Sequence, residues 1–178
     1  MGKKEITAAA GNASSKAPWI LLVASGIALA LAAFYIWPTT PVAVANAADV
    51  VVYKDPTCGC CGNWIQHLRD ADFEVEVVNV GSTDSIRSQV GVPDTLGSCH
   101  TAVVGDYWVE GHVPADLIQK LLTENPKNIR GIAVPGMPMG SPGMEGPNPV
   151  QYDVVAQDKD GRTFIYATRQ GQSTKGGN

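Results

Sequence analysis

Apolar and polar residues recur along much of this chain with the periods of strands and helices. Residues 50–53 form a short β-branched run, which is typical of a buried strand. A helix is predicted from about residue 60 to residue 70, because its apolar residues recur at helical spacing. Residues 73–80 alternate between apolar and acidic side chains, as a half-buried strand does, and a second helix is predicted over residues 84–90.

The second half of the chain continues these patterns. Residues 101–104 and 107–110 predict a hairpin, and Pro114 predicts the first turn of a helix that runs to about residue 123. Residues 150–156 and 163–167 predict another hairpin. No element is predicted between the last helix and this hairpin, where Pro and Gly are frequent. The predicted fold class is therefore α/β, in the order β-α-β-α-β-β-α with an added C-terminal β-hairpin.

The N-terminal segment has the properties of an export signal or a membrane anchor. Residues 17–37 are an uncharged apolar run with aromatic residues at both ends, and the only lysines near it precede it. Against a retained anchor, Ala45-Asn46-Ala47 matches a signal-peptidase site. The anchor is slightly favoured, and both interpretations stay open. Each predicts a periplasmic or otherwise extracytoplasmic domain, either soluble after cleavage or held at the inner membrane by residues 17–37.

These patterns divide the chain into three parts. Residues 1–48 are the signal or anchor with its linker, residues 49–168 are the domain, and residues 169–178 are a polar tail predicted to be disordered. The chain has 178 residues, a net charge of -4 and 17% charged residues, so it has none of the basic character of a nucleic-acid-binding protein. It also lacks a phosphate-binding loop, a dinucleotide fingerprint and a serine triad. No catalytic residue is predicted.

The candidate chemistry lies in the sulfur-containing residues. Three of the four cysteines fall within the sequence Cys58-Gly59-Cys60-Cys61, and the fourth, Cys99, directly precedes His100. Three methionines, Met137, Met139 and Met144, lie in one Pro/Gly-rich loop. Thiolate, imidazole and thioether groups are the ligands that suit soft metals, and copper(I) above all.

The position of Cys58 and Cys61 resembles the thioredoxin fold, in which redox cysteines begin the first helix after a strand. A helix N-terminus stabilises a thiolate, so such cysteines are good metal ligands and good nucleophiles. Two departures argue against simple disulfide exchange. Cys60 lies between the pair, and Cys99-His100 occupies the position before the third strand where thioredoxin-like enzymes carry a cis-proline. We therefore expect Cys99 and His100 to face the other three cysteines.

Four motifs together resemble the CopG-like family, small exported bacterial proteins tied to copper resistance. They are residues 52–61, 97–101, 110–115 and 131–141, which include all four cysteines and span most of the predicted domain. The resemblance implies a thioredoxin-like scaffold whose cysteines bridge copper ions in a multinuclear thiolate cluster. It also implies copper(I) as the bound ion, with copper(II) if the cluster undergoes redox cycling.

The predicted metal ligands are the four cysteines, two histidines and three methionines. They are Cys58, Cys60, Cys61, Cys99, His100, His112, Met137, Met139 and Met144. His112 could instead cap the helix that begins near Pro114, and Met137 and Met139 could serve only as a lid. His67, on the surface of the first helix, is interpreted as solvent-facing or structurally satisfied.

Three functions stay open at this level. The favoured one is an exported copper-binding protein of copper resistance or homeostasis, whose partners are copper ions and other exported copper-handling proteins. A thiol-disulfide oxidoreductase would use Cys58 and Cys61, because cysteines of exported proteins often form disulfides. A copper chaperone for oxidase assembly would use the same ligands and a partner apoprotein.

Overall fold

A seven-stranded mixed sheet organises residues 49–173, which are the part of the chain described by this computed structural model. Its strands are β1 (Val50–Lys54), β2 (Val75–Asn79), β3 (His100–Val104), β4 (Tyr107–Glu110), β5 (Ile129–Ala133), β6 (Gln151–Asp158) and β7 (Thr163–Gln170). The helices are α1 (Gly59–Arg69), α2 (Asp84–Val90) and α3 (Ala115–Glu124), with a 3-10 turn at Asp94–Leu96. The predicted signal or anchor and the end of the tail lie outside the described residues.

The strand order in the sheet is β2-β1-β3-β4-β5-β6-β7. Strand β1 is parallel to β2 and β4 is parallel to β5, while the other neighbours are antiparallel. The first seven elements follow the predicted order β-α-β-α-β-β-α, and β6 and β7 form the predicted hairpin. The α/β, thioredoxin-like fold class is thus confirmed.

The main hydrophobic core lies between the sheet and helices α1 and α3. Trp64 and Leu68 of α1, with Ile118 and Leu121 of α3, have no exposed surface. Burying each such side chain contributes about 1.5–3 kcal/mol to folding. A second, smaller cluster contains Trp108, and the next residue of the strand, Val109, belongs to the main core. Adjacent strand residues point to opposite faces of a sheet. The smaller cluster therefore lies on the other side of the sheet.

Strand β5 was not predicted. It lies between β4 and β6, so it connects the thioredoxin-like part of the sheet to the added hairpin. Its central residue is Gly131, and a side chain there would overlap with the ring of Trp108. Glycine is depleted in strands and adds nothing to an apolar pattern. Because packing against Trp108 requires glycine at the centre of β5, the sequence pattern did not indicate this strand.

The end of the fold also lies later than predicted. Strand β7 continues to Gln170, and the Gly171 and Gln172 N–H groups donate to the carbonyls of Val150 and Gly140. The ordered backbone thus extends beyond the predicted boundary at residue 168. Hydrogen bonds to β6 and to the loop hold this polar segment in place, and its side chains give no apolar pattern that would have predicted a strand. Among residues 49–173, no helix has the length and apolarity needed to cross a membrane.

Candidate metal centre

Three cysteines lie at the N-terminus of α1. Asp55 accepts hydrogen bonds from the Thr57 N–H, at 2.7 Å, and the Thr57 hydroxyl, and this turn leads the chain into the helix. Cys58 is the N-cap residue, and its sulfur accepts a hydrogen bond from the Cys61 N–H at 3.4 Å. Cys58 and Cys61 are joined by a disulfide, whereas Cys60 is a free thiol with its Sγ 3.6 Å from Cys58 Sγ.

Cys99 reaches this group from the neighbouring strand. Strands β1 and β3 are antiparallel with Lys54 opposite His100, so the residue before β3 lies beside the loop that follows β1. The Sγ atoms of Cys58, Cys60, Cys61 and Cys99 all lie within 4.8 Å of one another. The expectation that Cys99 faces the other three cysteines is therefore met in the structure.

Two histidines contact Cys99 from its other side. Cys99 Sγ lies 3.0 Å from His112 Nε2 and 3.3 Å from His100 Nδ1, so the three residues form a second potential metal-binding group. His112 Nδ1 lies 2.8 Å from the carbonyl oxygen of Pro142, which can only accept, so Nδ1 carries the proton. His112 Nε2 thus presents a lone pair towards Cys99, which is the arrangement of a metal-ligating histidine oriented by a backbone carbonyl.

Burial sets the protonation of these groups. Burial, followed by the nearby His112, lowers the pKa of His100 to about 3, and burial also lowers the pKa of His112. Both rings are therefore neutral at neutral pH, which is the state that ligates metals. Burial, followed by the adjacent Cys60, raises the pKa of the Cys99 thiol to about 12. A metal ion bound at Cys99 would displace this proton.

Glu110 is a residue of this region that the sequence analysis did not single out. It is fully buried, and its two carboxylate oxygens accept hydrogen bonds from the Ser98 N–H and the Thr101 hydroxyl, both at 2.7 Å. Arg87 of α2 lies 3.5 Å from Glu110 and donates to the Ser98 carbonyl at 3.0 Å. These contacts fix the backbone on both sides of Cys99-His100. In the sequence, Glu110 is only a charged residue at the end of a predicted strand, and such residues are common on protein surfaces, so nothing indicated that it is buried.

The Pro/Gly-rich loop packs against the cysteine-bearing helix. A side chain at Gly143, whose φ is +82°, would come within 2.8 Å of the Cys60 carbonyl oxygen and 2.7 Å of the Trp64 nitrogen. The carbonyl oxygen of the preceding residue, Pro142, accepts the hydrogen bond from His112 Nδ1. Pro142 and Gly143 thus contact α1 and His112, and Gly136 of the same loop is hydrogen-bonded to Gly97 and Ser98. Met144 is partly buried, and Met137 and Met139 are 55% and 38% exposed.

His67 links α1 to α3 and is not a free surface group. Its Nε2 accepts a hydrogen bond from the Ala115 N–H, at 3.0 Å, at the start of α3. The imidazole of His67 therefore caps the N-terminus of α3, which is the role that the sequence left open for His112. His67 must be neutral to accept this bond, and burial lowers its pKa.

The donor set fits a soft metal. Three other sulfurs and two imidazole nitrogens lie around the Cys99 sulfur, and neither group contains a carboxylate. Thiolate-rich sites select copper(I), zinc or iron–sulfur clusters, whereas oxygen-rich sites select magnesium or calcium. All six residues were predicted from the sequence to be metal ligands, and the structure brings them together.

Comparisons with known proteins agree with this description. A family model described as "Protein of unknown function, DUF411" matches residues 96–144, which contain Cys99, both histidines beside it and the first part of the loop. No curated protein matches the chain.

Two solved structures match over nearly their whole length. One is titled "Copper resistance protein copG- Form 2"; it is 42% identical, with 67% of this chain and 96% of that chain covered and a TM-score of 0.64. The other, "Copper resistance protein copG- Form 1", is also 42% identical, with 68% and 97% covered and the same TM-score. At this identity and coverage, the chain belongs to the CopG-like family of copper resistance proteins.

Proposed function

We propose that the reduced protein binds copper ions around Cys99, as an exported protein of copper resistance or homeostasis. The observation that carries this proposal is the double membership of Cys99. Its sulfur lies within 4.8 Å of three other sulfurs and, separately, within 4.8 Å of two imidazole nitrogens. A thiolate can bridge two ions, so one residue shared by two donor groups favours a site for more than one ion.

Each donor group supplies a different part of this site. Cys58, Cys60 and Cys61 provide thiolates from the N-terminus of α1, where the helix dipole stabilises negative charge. His100 and His112 provide neutral imidazoles, and Cys99 joins the two groups. Met137 and Met139, with Met144, would add thioether donors or restrict solvent access if the loop moved towards the cysteines.

The Cys58–Cys61 disulfide makes binding dependent on reduction. Its two sulfurs are bonded to each other and cannot serve as thiolates. Reduction by an external thiol or other two-electron donor adds two electrons and two protons and gives two thiols, whose protons are then displaced by the metal. The oxidised protein retains only Cys60 and Cys99 as thiol ligands, so we expect it to hold fewer ions.

Competition between copper(I) and zinc tests the ligand chemistry. Copper(I) suits thiolate and thioether donors in low coordination, whereas zinc prefers a closed tetrahedral set. We expect the reduced protein to retain copper(I) when equal concentrations of the two ions are present. Displacement of copper(I) by zinc would contradict a copper site.

The second candidate is a thiol-disulfide oxidoreductase, and the disulfide itself favours it. Cys58 and Cys61 form a Cys-x-x-Cys pair at a helix N-terminus, which is the position of the redox pair in thioredoxin-like enzymes. Insulin reduction by the metal-free protein distinguishes the two functions. Robust turnover would favour the enzyme, and its absence would leave copper binding as the function of the cysteines.

Export and the cellular role belong to the same proposal. The apolar segment 17–37 would direct the domain out of the cytoplasm, and the domain would hold copper for sequestration or pass it to other exported copper-handling proteins.

A further inference from the structure

A cleft of about 570 Å³ lies at the other end of strands β3 and β4 from the cysteines. Cys99 precedes β3, whereas the cleft is lined by the turn Gly105-Asp106 that follows it. At about 3.3 Å per residue, the five residues of β3 separate the two places by roughly 17 Å. The volume is within the range of about 300–1,000 Å³ that is usual for small-molecule sites.

Three basic side chains line this cleft: Lys127, Arg130 and Lys159. In the described part of the chain, none of them has a carboxylate within ion-pair distance. Lys127 Nζ donates to the neutral Asn125 amide oxygen at 2.9 Å, and Arg130 Nη2 lies 3.5 Å from the Val90 carbonyl oxygen. The single acidic residue of the lining is Asp106. In a chain with a net charge of -4, this is a local excess of positive charge.

The guanidinium group of Arg130 lies beside the turn that ends α2. Gly91 ends α2 with a φ of +83°, and a side chain at this position would overlap with the Arg130 head group. The left-handed φ favours glycine there, whereas the overlap involves only the flexible end of Arg130, which can move. The guanidinium lies beside this turn, and no acidic side chain in the described residues neutralises it.

Trp108 supplies a second, independent observation. It lines the cleft, its side chain is 3% exposed, and its indole N–H has no acceptor in the described residues. An unsatisfied buried donor costs about 1–3 kcal/mol. The N–H is itself buried, so a ligand in the cleft would accept this hydrogen bond only after the indole ring shifts. The remaining lining includes the apolar side chains of Val103 and Pro126.

We propose that this cleft binds a small organic anion that carries a phosphate or carboxylate group on an apolar, planar body. The anionic group would contact Arg130, Lys127 and Lys159, because charge-assisted hydrogen bonds to such groups are the strong ones. The apolar part would cover Val103 and Pro126, and an acceptor atom would pair with the Trp108 N–H once the indole ring shifts towards the cleft. The site does not depend on copper, and its ligand differs from the proposed cargo.

Phenyl phosphate, benzoate and inorganic phosphate are suitable probes, with phenol as the uncharged control. Each compound is titrated into the full chain, which is kept in an uncharged detergent if it needs one. Calorimetry measures the binding affinity, and the NMR spectrum of the ¹⁵N-labelled tryptophan side chains shows where the compound binds. We expect saturable binding of phenyl phosphate or benzoate, with a shift of the Trp108 indole signal, assigned through Trp108→Phe. Inorganic phosphate should bind more weakly, because it lacks the apolar part.

The charge-removal test uses Arg130→Gln with Lys159→Gln. Loss of these two contacts should weaken phenyl phosphate or benzoate binding about tenfold or more, while Lys120→Gln, an exposed cation on α3, should leave it unchanged. Circular dichroism and copper stoichiometry verify that the double variant is folded; if it is not, Lys127→Gln takes its place. Three results would overturn the proposal. They are the absence of saturable binding of either aromatic anion, equal affinity of the parent and the Arg130→Gln, Lys159→Gln variant, and a Trp108 indole signal that does not move on titration.

Discussion

The Sγ of Cys99 lies 3.0 Å from Nε2 of His112, although the two residues are thirteen positions apart and belong to different strand ends. The hydrogen bond from His112 Nδ1 to Pro142 fixes the ring so that its free nitrogen faces the thiol. Cys99 is thereby the meeting point of an imidazole group and a thiol group. This geometry is the reason that the proposed copper site is centred on Cys99 and not on the cysteines of α1 alone.

Changing Cys99 to Ser should reduce copper capacity by more than one ion. A bridging thiolate bonds to more than one metal, so its loss removes bonds on both sides of the site. Anaerobic copper(I) titration with elemental analysis measures this capacity. Full stoichiometry in Cys99→Ser would show that Cys99 is structural. His67→Gln, which alters a histidine outside both donor groups, is the control.

Changing Glu110 to Gln should destabilise the fold and weaken copper retention. Gln cannot accept from Ser98 and Thr101 as a carboxylate does, and it leaves Arg87 without its buried partner. We expect the free energy of unfolding to fall by about 1–3 kcal/mol. Glu124→Gln, which removes an exposed ion pair with Lys120 at 3.9 Å, should change it by less than about 1 kcal/mol.

The copper effect of Glu110→Gln separates positioning from simple stability. At a temperature where both proteins are fully folded, the variant should lose copper(I) to a chelator at lower chelator concentration than the parent. Equal retention would mean that Glu110 stabilises the sheet without positioning Cys99.

Changing Met137 and Met139 to Leu should leave the fold intact and weaken copper(I) retention. Both side chains are exposed, and Leu conserves volume, so each change should cost below about 1.5 kcal/mol. Thioethers need no deprotonation, so the difference between parent and variant should widen as pH falls below neutral. Chelator competition at two pH values measures it. If parent and variant have equal affinities at both pH values, the loop acts only as a lid.

The stability of the copper-free protein should fall as pH falls below about 6.5, the ordinary pKa of histidine. Burial lowers the pKa of His67 in the folded state, so the unfolded chain binds more protons in this range. The Ala115 N–H bond to His67 is lost on protonation. In His67→Gln, which keeps an acceptor, the pH dependence should be shallower by at most about 1.4 kcal/mol per pH unit. Denaturant unfolding at pH 7 and pH 5 measures this, and an unchanged slope would contradict the role given to His67.

The clustering of the cysteines and of His100 could be predicted from the sequence because it depends on residue types at the ends of recognisable elements. Cys58 and Cys61 are one helical turn apart, and the resemblance to the thioredoxin fold placed Cys99, just before the predicted strand 101–104, opposite them. Strand β5 could not be predicted from the sequence, because its central residue, Gly131, packs closely against Trp108 and contributes nothing to an apolar pattern. Glu110 was not accessible either, because its burial follows from partners on α2 and β3 that only the folded chain brings together.

The Cys58–Cys61 disulfide marks a further limit of sequence reasoning. Cysteine spacing permitted both a metal cluster and a dithiol pair, and the structure contains the bond. The same two residues form a disulfide when oxidised and are the proposed ligands when reduced, so the choice depends on redox conditions that the sequence does not encode.

Anaerobic copper(I) titration of the chain, with and without prior reduction, followed by elemental analysis, tests the central claim most directly. We predict more than one copper ion per reduced chain, because Cys99 joins two donor groups, and a lower number when the Cys58–Cys61 disulfide is kept intact. A stoichiometry of one or less in the fully reduced chain would contradict a shared, multinuclear site at Cys99.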